Sequence, residues 1–134
     1  MTAQRVFSKA PWEGKVGYCR AIRKGNLIFV TGTAAVDDNG KTFEAGNAYG
    51  QAKRCLFLIE RALKELGTDL SSVVRTRMFV TDISKWQEFG RAHGECFRDF
   101  PPATTMVEVK SLIEPDMLIE IEADAVLSRG THAE

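Results

Sequence analysis

The sequence has no long hydrophobic run, no excess of either charge, and few of the residues that build metal or disulfide frameworks. No apolar stretch approaches the roughly 20 residues of a membrane-spanning helix. Residues Met1 to Ala10 are polar and lack the apolar centre of a secretion signal, so a cytoplasmic protein with no membrane partner is expected. Lys and Arg number 18 and Asp and Glu 18, which argues against a nucleic-acid binder that works by bulk electrostatics. Cys19, Cys55 and Cys96 are widely spaced, with no CxxC or CxxxC pair, which argues against a disulfide framework and a structural zinc site. His93 and His132 are too few and too scattered for a zinc cluster. There is no internal repeat, low-complexity tract or interdomain linker.

What is present is the balance of a globular protein. The 134 residues are 44% hydrophobic and 27% charged, which excludes disorder as the main state. One domain is expected over 1–134, with a core over 5–127 and a frayed polar tail over 128–134.

The run Leu27 to Thr31 is apolar and β-branched and follows the turn signal Gly25-Asn26, so Ala21 to Lys24 is its hairpin partner. From Asn47 to Leu66 the period changes. Tyr49, Ala52, Leu56, Ile59, Leu63 and Leu66 are spaced 3, 4, 3, 4, 3, one apolar face of a helix that Gly67 ends. Val73 to Thr81 reads as a strand. Ser84 then opens a second helix with Gln87 as its capping-box partner, and the apolar stripe runs through Trp86, Phe89, His93 and Cys96 or Phe97. Pro101-Pro102 stops that helix. Ala103 to Val109 and Leu118 to Leu127 are strands separated by the turn Pro115-Asp116, and a first strand is expected near Arg5 to Ser8. The result is an α+β domain whose two helices cover one face of a mixed sheet.

The last strand turns Ile119, Ile121, Ala123 and Ala125 to one side and Glu120, Glu122 and Asp124 to the other. Three carboxylates in a row repel unless neutralised, and Arg75 and Arg77 share one face of the strand Val73 to Thr81. This face is either a solvated, salt-bridged surface or a subunit interface with Glu120 serving a ligand site. Two helices on one face leave the other uncovered, and oligomerisation is one way to cover it.

Several segments read together: Gly17-Tyr18-Cys19-Arg20-Ala21, Ile28 to Thr33, Val74 to Asp82, Pro102 to Val109, and Ile119 to Ala123. In this order and spacing the chain resembles the Rid family (reactive intermediate deaminases, also called YjgF or endoribonuclease L-PSP) over about residues 5 to 127. The resemblance implies a chorismate-mutase-like α+β fold. It implies a homotrimer whose sheets form a central barrel, with ligand clefts between neighbouring subunits. It implies hydrolysis of enamines and imines, such as 2-aminoacrylate and 2-iminobutanoate, to 2-keto acids and ammonia, without a metal or organic cofactor. An arginine grips the substrate carboxylate in such proteins, and a glutamate of the last strand positions water. Tyr18 and Glu120 match cleft positions. The arginine that follows Pro-Ala is here Thr104, and the helical asparagine of the cleft aligns with Gly90. A threonine cannot supply a charged bidentate fork, so the chain resembles a subgroup lacking that arginine.

The candidate site residues follow from this. Glu120 would orient or deprotonate water, or else is a structural interface carboxylate. Tyr18 would contact a ligand or cap the sheet. Arg20 is the first replacement for the missing charge and Arg91 a weaker one; both also read as solvated arginines. The backbone of Thr31 and Gly32 offers amides to an anion, though Gly32 also reads as a bulge. Thr104, Thr105 and Met106 lie on the strand that carries the family's ligand arginine. Phe89, with Trp86 and Phe100, would wall the cleft or pack in the core. His93, on the apolar stripe, reads as a core or interface residue. Three functions stay open: a cofactor-free deaminase-like hydrolase acting on a 2-imino acid or similar metabolite, a non-catalytic metabolite-binding trimer, and the ribonuclease of the family's historical name. No histidine pair is available for general acid–base RNA cleavage, which counts against the last.

Overall fold

The turn at Gly25-Asn26 starts the sheet. In the computed structural model, which describes residues 2–128, β2 (Ala21–Lys24) and β3 (Leu27–Ala34) form the expected hairpin, with Ala21 opposite Val30 and Lys24 opposite Leu27. Gly25 takes a φ of +63°, which only glycine adopts without strain. β1 (Gln4–Val6) joins the outer edge of β2. It ends before the expected Ser8, whose backbone N–H and hydroxyl instead donate to the Glu13 carboxylate. Glu13 belongs to α1 (Pro11–Val16), a short helix that the sequence pattern did not announce. Pro11 starts it, where a missing N–H costs nothing, and Gly17 ends it at a φ of +93°.

β3 runs three residues beyond Thr31 and carries an irregularity between Val30 and Thr33. α2 (Ala48–Glu65) begins where the Asn47 side chain accepts the Gly50 N–H. It closes at Gly67, φ +92°, with the Gly67 and Thr68 N–H groups returned to the Lys64 and Leu63 carbonyls. β4 (Val73–Val80), α3 (Trp86–Phe97), β5 (Ala103–Glu108) and β6 (Ile119–Val126) complete the chain. The strand order is β1-β2-β3-β6-β4-β5, and only β4 and β5 pair parallel, so the sheet is mixed as expected.

The start of α3 corrects one expectation. Ser84 does not cap it with Gln87. The Asp82 carboxylate accepts both the N–H and the hydroxyl of Ser84, a 3-10 turn covers Ile83–Lys85, and α3 begins at Trp86. A carboxylate is the stronger acceptor, and it lies two residues earlier.

The core lies between the helices and one sheet face. Ala52, Leu56, Ile59, Leu63 and Leu66 of the predicted stripe are buried against Ile28, Val30, Ile119, Ile121 and Ala123. Phe89, Ala92 and Phe97 bring α3 into the same core, while Trp86 stays 55% exposed at the first turn. On the opposite face Arg77 pairs with Glu122 at 3.1 Å and Asp124 at 3.3 Å, as the acidic row required. Arg75 stands opposite Asp124 in the ladder. Leu27, Phe29, Val107 and Val126 remain exposed. No helix among the described residues is long and apolar enough to cross a membrane. His132 and the tail beyond Ser128 lie outside the described residues.

Candidate functional site

The irregularity in β3 builds the site. Val30 pairs with Ala123 and Thr33 with Ile121, so β3 spends one extra residue there. Gly32 sits in that bulge beneath the side chain of Glu120. A Cβ at residue 32 would collide with the Glu120 carboxylate, so any side chain there would have to displace that end of Glu120. Burial raises the Glu120 pKa; the Arg20 charge opposes the rise and Glu122 adds to it.

Arg20 is firmly held. Its Nε lies 3.3 Å from Glu13 Oε2, and Nη1 donates to the Gly32 carbonyl at 3.1 Å and the Thr33 hydroxyl at 3.4 Å. Its guanidinium lies 5.6 Å from the centre of the Tyr18 ring. Glu13 is buried and also accepts the Ser8 N–H at 2.9 Å and the Ser8 hydroxyl at 2.5 Å. A chain of polar contacts therefore joins α1 to the bulge: Ser8, Glu13, Arg20, then Gly32. Thr31 is occupied locally, its N–H by the Arg20 carbonyl and its hydroxyl by the Cys19 carbonyl. That N–H is thus not held open for an anion.

Tyr18, Arg20, Gly32 and Glu120 line one cavity of about 620 Å³, with Trp12 of α1 and Met117 among its other walls. That size suits a small metabolite. The remaining candidates lie elsewhere. β5 is separated from β3 by β6 and β4, three strand spacings or roughly 14 Å. Thr104 lies there, exposed at the sheet edge, with its hydroxyl 2.8 Å from the Thr76 hydroxyl, and Met106 packs at the margin of the core. Gly90 is half-buried, with Trp86 4.0 Å from where its Cβ would be. Phe89 is fully buried and belongs to the core, since the α3 stripe turns it inward. Arg91 lies 3.7 Å over the Tyr49 ring and 3.8 Å from Glu95, on the outer surface of the helix pair. His93 is buried against Phe97 at 4.6 Å between ring centres, and burial lowers its pKa.

Sequence reasoning missed Glu13 and Ser8. The signal available was Pro11 and Gly17 bracketing six residues, a start and stop without apolar periodicity between them.

The endoribonuclease L-PSP family model matches residues 8–127. The chain belongs to that family. Among its relatives is the 3-aminoacrylate deaminase RutC of Acinetobacter baylyi, 30% identical over 108 residues, which are 81% of this chain and 85% of that protein. The 2-iminobutanoate/2-iminopropanoate deaminase of Homo sapiens is 28% identical over 124 residues, 92% of this chain and 90% of that one. A crystal structure of a YjgF/YER057c/UK114 family member from Mycobacterium tuberculosis superposes with a TM-score of 0.85 and 43% identity, covering 94% of this chain and 100% of that one. The fold is therefore the chorismate-mutase-like α+β fold of the YjgF/UK114 proteins, and the resemblance drawn from the five segments holds across the described core.

Proposed function

We propose that this YjgF-family protein is a cofactor-free hydrolase of small enamines or imines, working in clefts between the subunits of a cytoplasmic homotrimer. The observation that carries the reading is the half-buried Glu120 carboxylate packed over Gly32 at the wall of a cavity of about 620 Å³. An acid whose pKa is raised by burial is a better base for water than an exposed glutamate. Water adds to the carbon of the C=N bond and gives a proton to Glu120. The proton returns to nitrogen to give the carbinolamine; its hydroxyl proton then passes by way of Glu120 to the amine as the C–N bond breaks, and a 2-keto acid and ammonia leave. An enamine first takes a proton on carbon to become the imine. Arg20 biases Glu120 through its charge while Glu13 and Gly32 hold it in place.

Two observations support the trimer. Leu27, Phe29, Val107 and Val126 stay exposed around the acidic row, an apolar rim that a neighbouring sheet would bury. The candidates also separate within one chain: Tyr18 and Glu120 line the cavity, while Thr104 sits on the edge strand β5, with β4 between it and β6. A cleft between copies unites them.

Thr104 favours a second reading, a trimer that binds a metabolite without turnover, because a neutral hydroxyl replaces the arginine fork. One assay separates the two. An amino-acid oxidase generates 2-imino acids, and semicarbazone trapping follows their loss. The hydrolase reading expects faster loss with the protein, abolished by Glu120→Gln in an intact trimer. An equal rate in that variant rejects the mechanism. No acceleration, with a melting temperature that rises with pyruvate, selects the binding reading.

A further inference from the structure

The cavity beside Glu120 is larger and more apolar than a three-carbon substrate needs. At about 30 Å³ per heavy atom, the share of a water molecule in its liquid, 2-iminopropanoate with its six heavy atoms fills roughly 180 Å³. The cavity measures about 620 Å³. Much of its wall is apolar: Trp12 and Val16 of α1, Leu58 of α2, and Met117 shortly before β6. Trp12 and Val16 stand four residues apart, so they share one face of α1. Phe7, Val16 and Ile113 are each more than half exposed, and all three line this cavity. Apolar side chains left exposed around one cavity mark a binding groove, where singly scattered ones would mark nothing. The charged groups of the same wall are engaged with each other or face solvent. Asp37 accepts the Asn39 and Lys41 N–H groups at 2.8 and 3.0 Å. Asp38 pairs with Arg54 at 3.4 Å and Arg61 at 3.8 Å, and Lys9 and Glu65 are exposed.

We propose that the apolar wall built on α1 selects 2-imino acids with a bulky apolar side chain, about the size of a phenylmethyl group, and that Trp12 sets this preference. Glu120 and Arg20 line the same cavity, so one space receives both the reacting C=N group and the side chain it carries. Glu13 fixes α1 against these groups: its carboxylate lies 3.3 Å from Arg20 Nε and accepts the Ser8 N–H at 2.9 Å. The wall is therefore preformed, and a ligand spends little in ordering it. A phenyl ring buries apolar area against Trp12 and Val16 that a methyl group is too short to cover. The inference rests on the hydrolase reading, since it names the substrate class of that same cavity.

The test gives the full chain two imines, made by an amino-acid oxidase from alanine and from phenylalanine, and compares kcat/KM by semicarbazone trapping. The phenylalanine-derived imine is expected to react at least about tenfold faster, the low end of what apolar pocket contacts discriminate. Trp12→Ser is expected to lower that rate about tenfold and the alanine-derived rate far less, so the preference collapses. Val16→Ser, at an exposed position, is expected to reduce the preference in the same direction and serves where Trp12→Ser fails to fold. Equal rates for the two imines, or a preference for the alanine-derived one, overturn the inference and leave the hydrolase reading standing. So does a preference that survives in both folded variants. A Val16→Ser protein that loses its assembly in sedimentation velocity shows a subunit contact in place of a substrate wall and also overturns it. Melting temperatures with pyruvate and phenylpyruvate separate the remaining cases. If neither imine is hydrolysed, a larger rise with phenylpyruvate that Trp12→Ser abolishes upholds the apolar wall while the hydrolase reading falls. A wild type that hydrolyses neither imine and responds to neither keto acid overturns both.

Discussion

The carboxylate of Glu120 occupies the space that a side chain at residue 32 would fill, so the chemistry of one strand depends on what its neighbour lacks. Gly32→Ala should push Glu120 off its position with little change in the fold. Misplacing a catalytic group by about 1 Å can cost about a hundredfold in rate. We expect imine hydrolysis to fall by about that factor while the melting temperature holds. A variant with normal activity would show that the position of Glu120 is immaterial.

The raised pKa of Glu120 predicts a pH signature in stability. Burial makes the folded protein hold this proton to higher pH than the unfolded chain does. Between the ordinary glutamate pKa and the raised folded one, the folded state binds more protons, so stability falls as pH rises through that window. Below the window the penalty is absent, and above it the penalty is complete. Glu120→Gln removes the slope. Thermal melts of the two proteins should differ least in acid and most above the window, with the variant the more stable there. A constant difference across that range would contradict the assignment.

Glu13 makes the strongest structural demand. It is buried and its carboxylate holds Arg20. Removing one partner of a buried pair strands the other, at roughly 3 kcal/mol. Glu13→Ala should lower the urea midpoint accordingly and slow any reaction that uses Glu120, since Arg20 would lose its anchor. Urea titration with a parallel rate assay reads both; a stable, fully active variant would remove α1 from the argument.

Arg77 tests the assembly. Within one chain its pairs with Glu122 and Asp124 are partly exposed, and such pairs contribute under about 1 kcal/mol. If a neighbouring sheet covers this face, Arg77→Glu adds a like charge to the acidic row inside an interface. Sedimentation velocity should then show a trimer for the wild type and monomers for the variant. A trimer in both would move the interface elsewhere.

Much of this was legible because period and burial agree. The 3-and-4 spacing from Tyr49 to Leu66 became α2, and Ile119, Ile121, Ala123 and Ala125 became the inward face of β6. The Gly25-Asn26 hairpin fell where its turn residues placed it. α1 was hidden because six residues with Gly14 inside carry no apolar stripe, and what holds it is Glu13 reaching Ser8 and Arg20. The stripe of α3 began one turn too early, at exposed Trp86, since apolar character alone does not say where a helix starts. For the site, Glu120 and Gly32 were each singled out, but their contact depends on the bulge. The contacts of the Thr76 hydroxyl with His93 and Thr104 join two strands and a helix, and no spacing in the chain encodes them.

The bulge has one more effect. Ile28 and Val30 face the core, and so do Thr33 and Ala35, so inward positions are even-numbered before the extra residue and odd-numbered after it. β3 therefore behaves as two segments with independent phase. The first belongs to the hairpin and the second to the cavity wall. Deleting either Thr31 or Gly32 would restore plain alternation, with Thr33 still inward and opposite Ile121, and would remove the extra residue that brings backbone under Glu120. The bulge thus shapes the cavity wall at a single residue, and its removal would leave the pairing on either side in register.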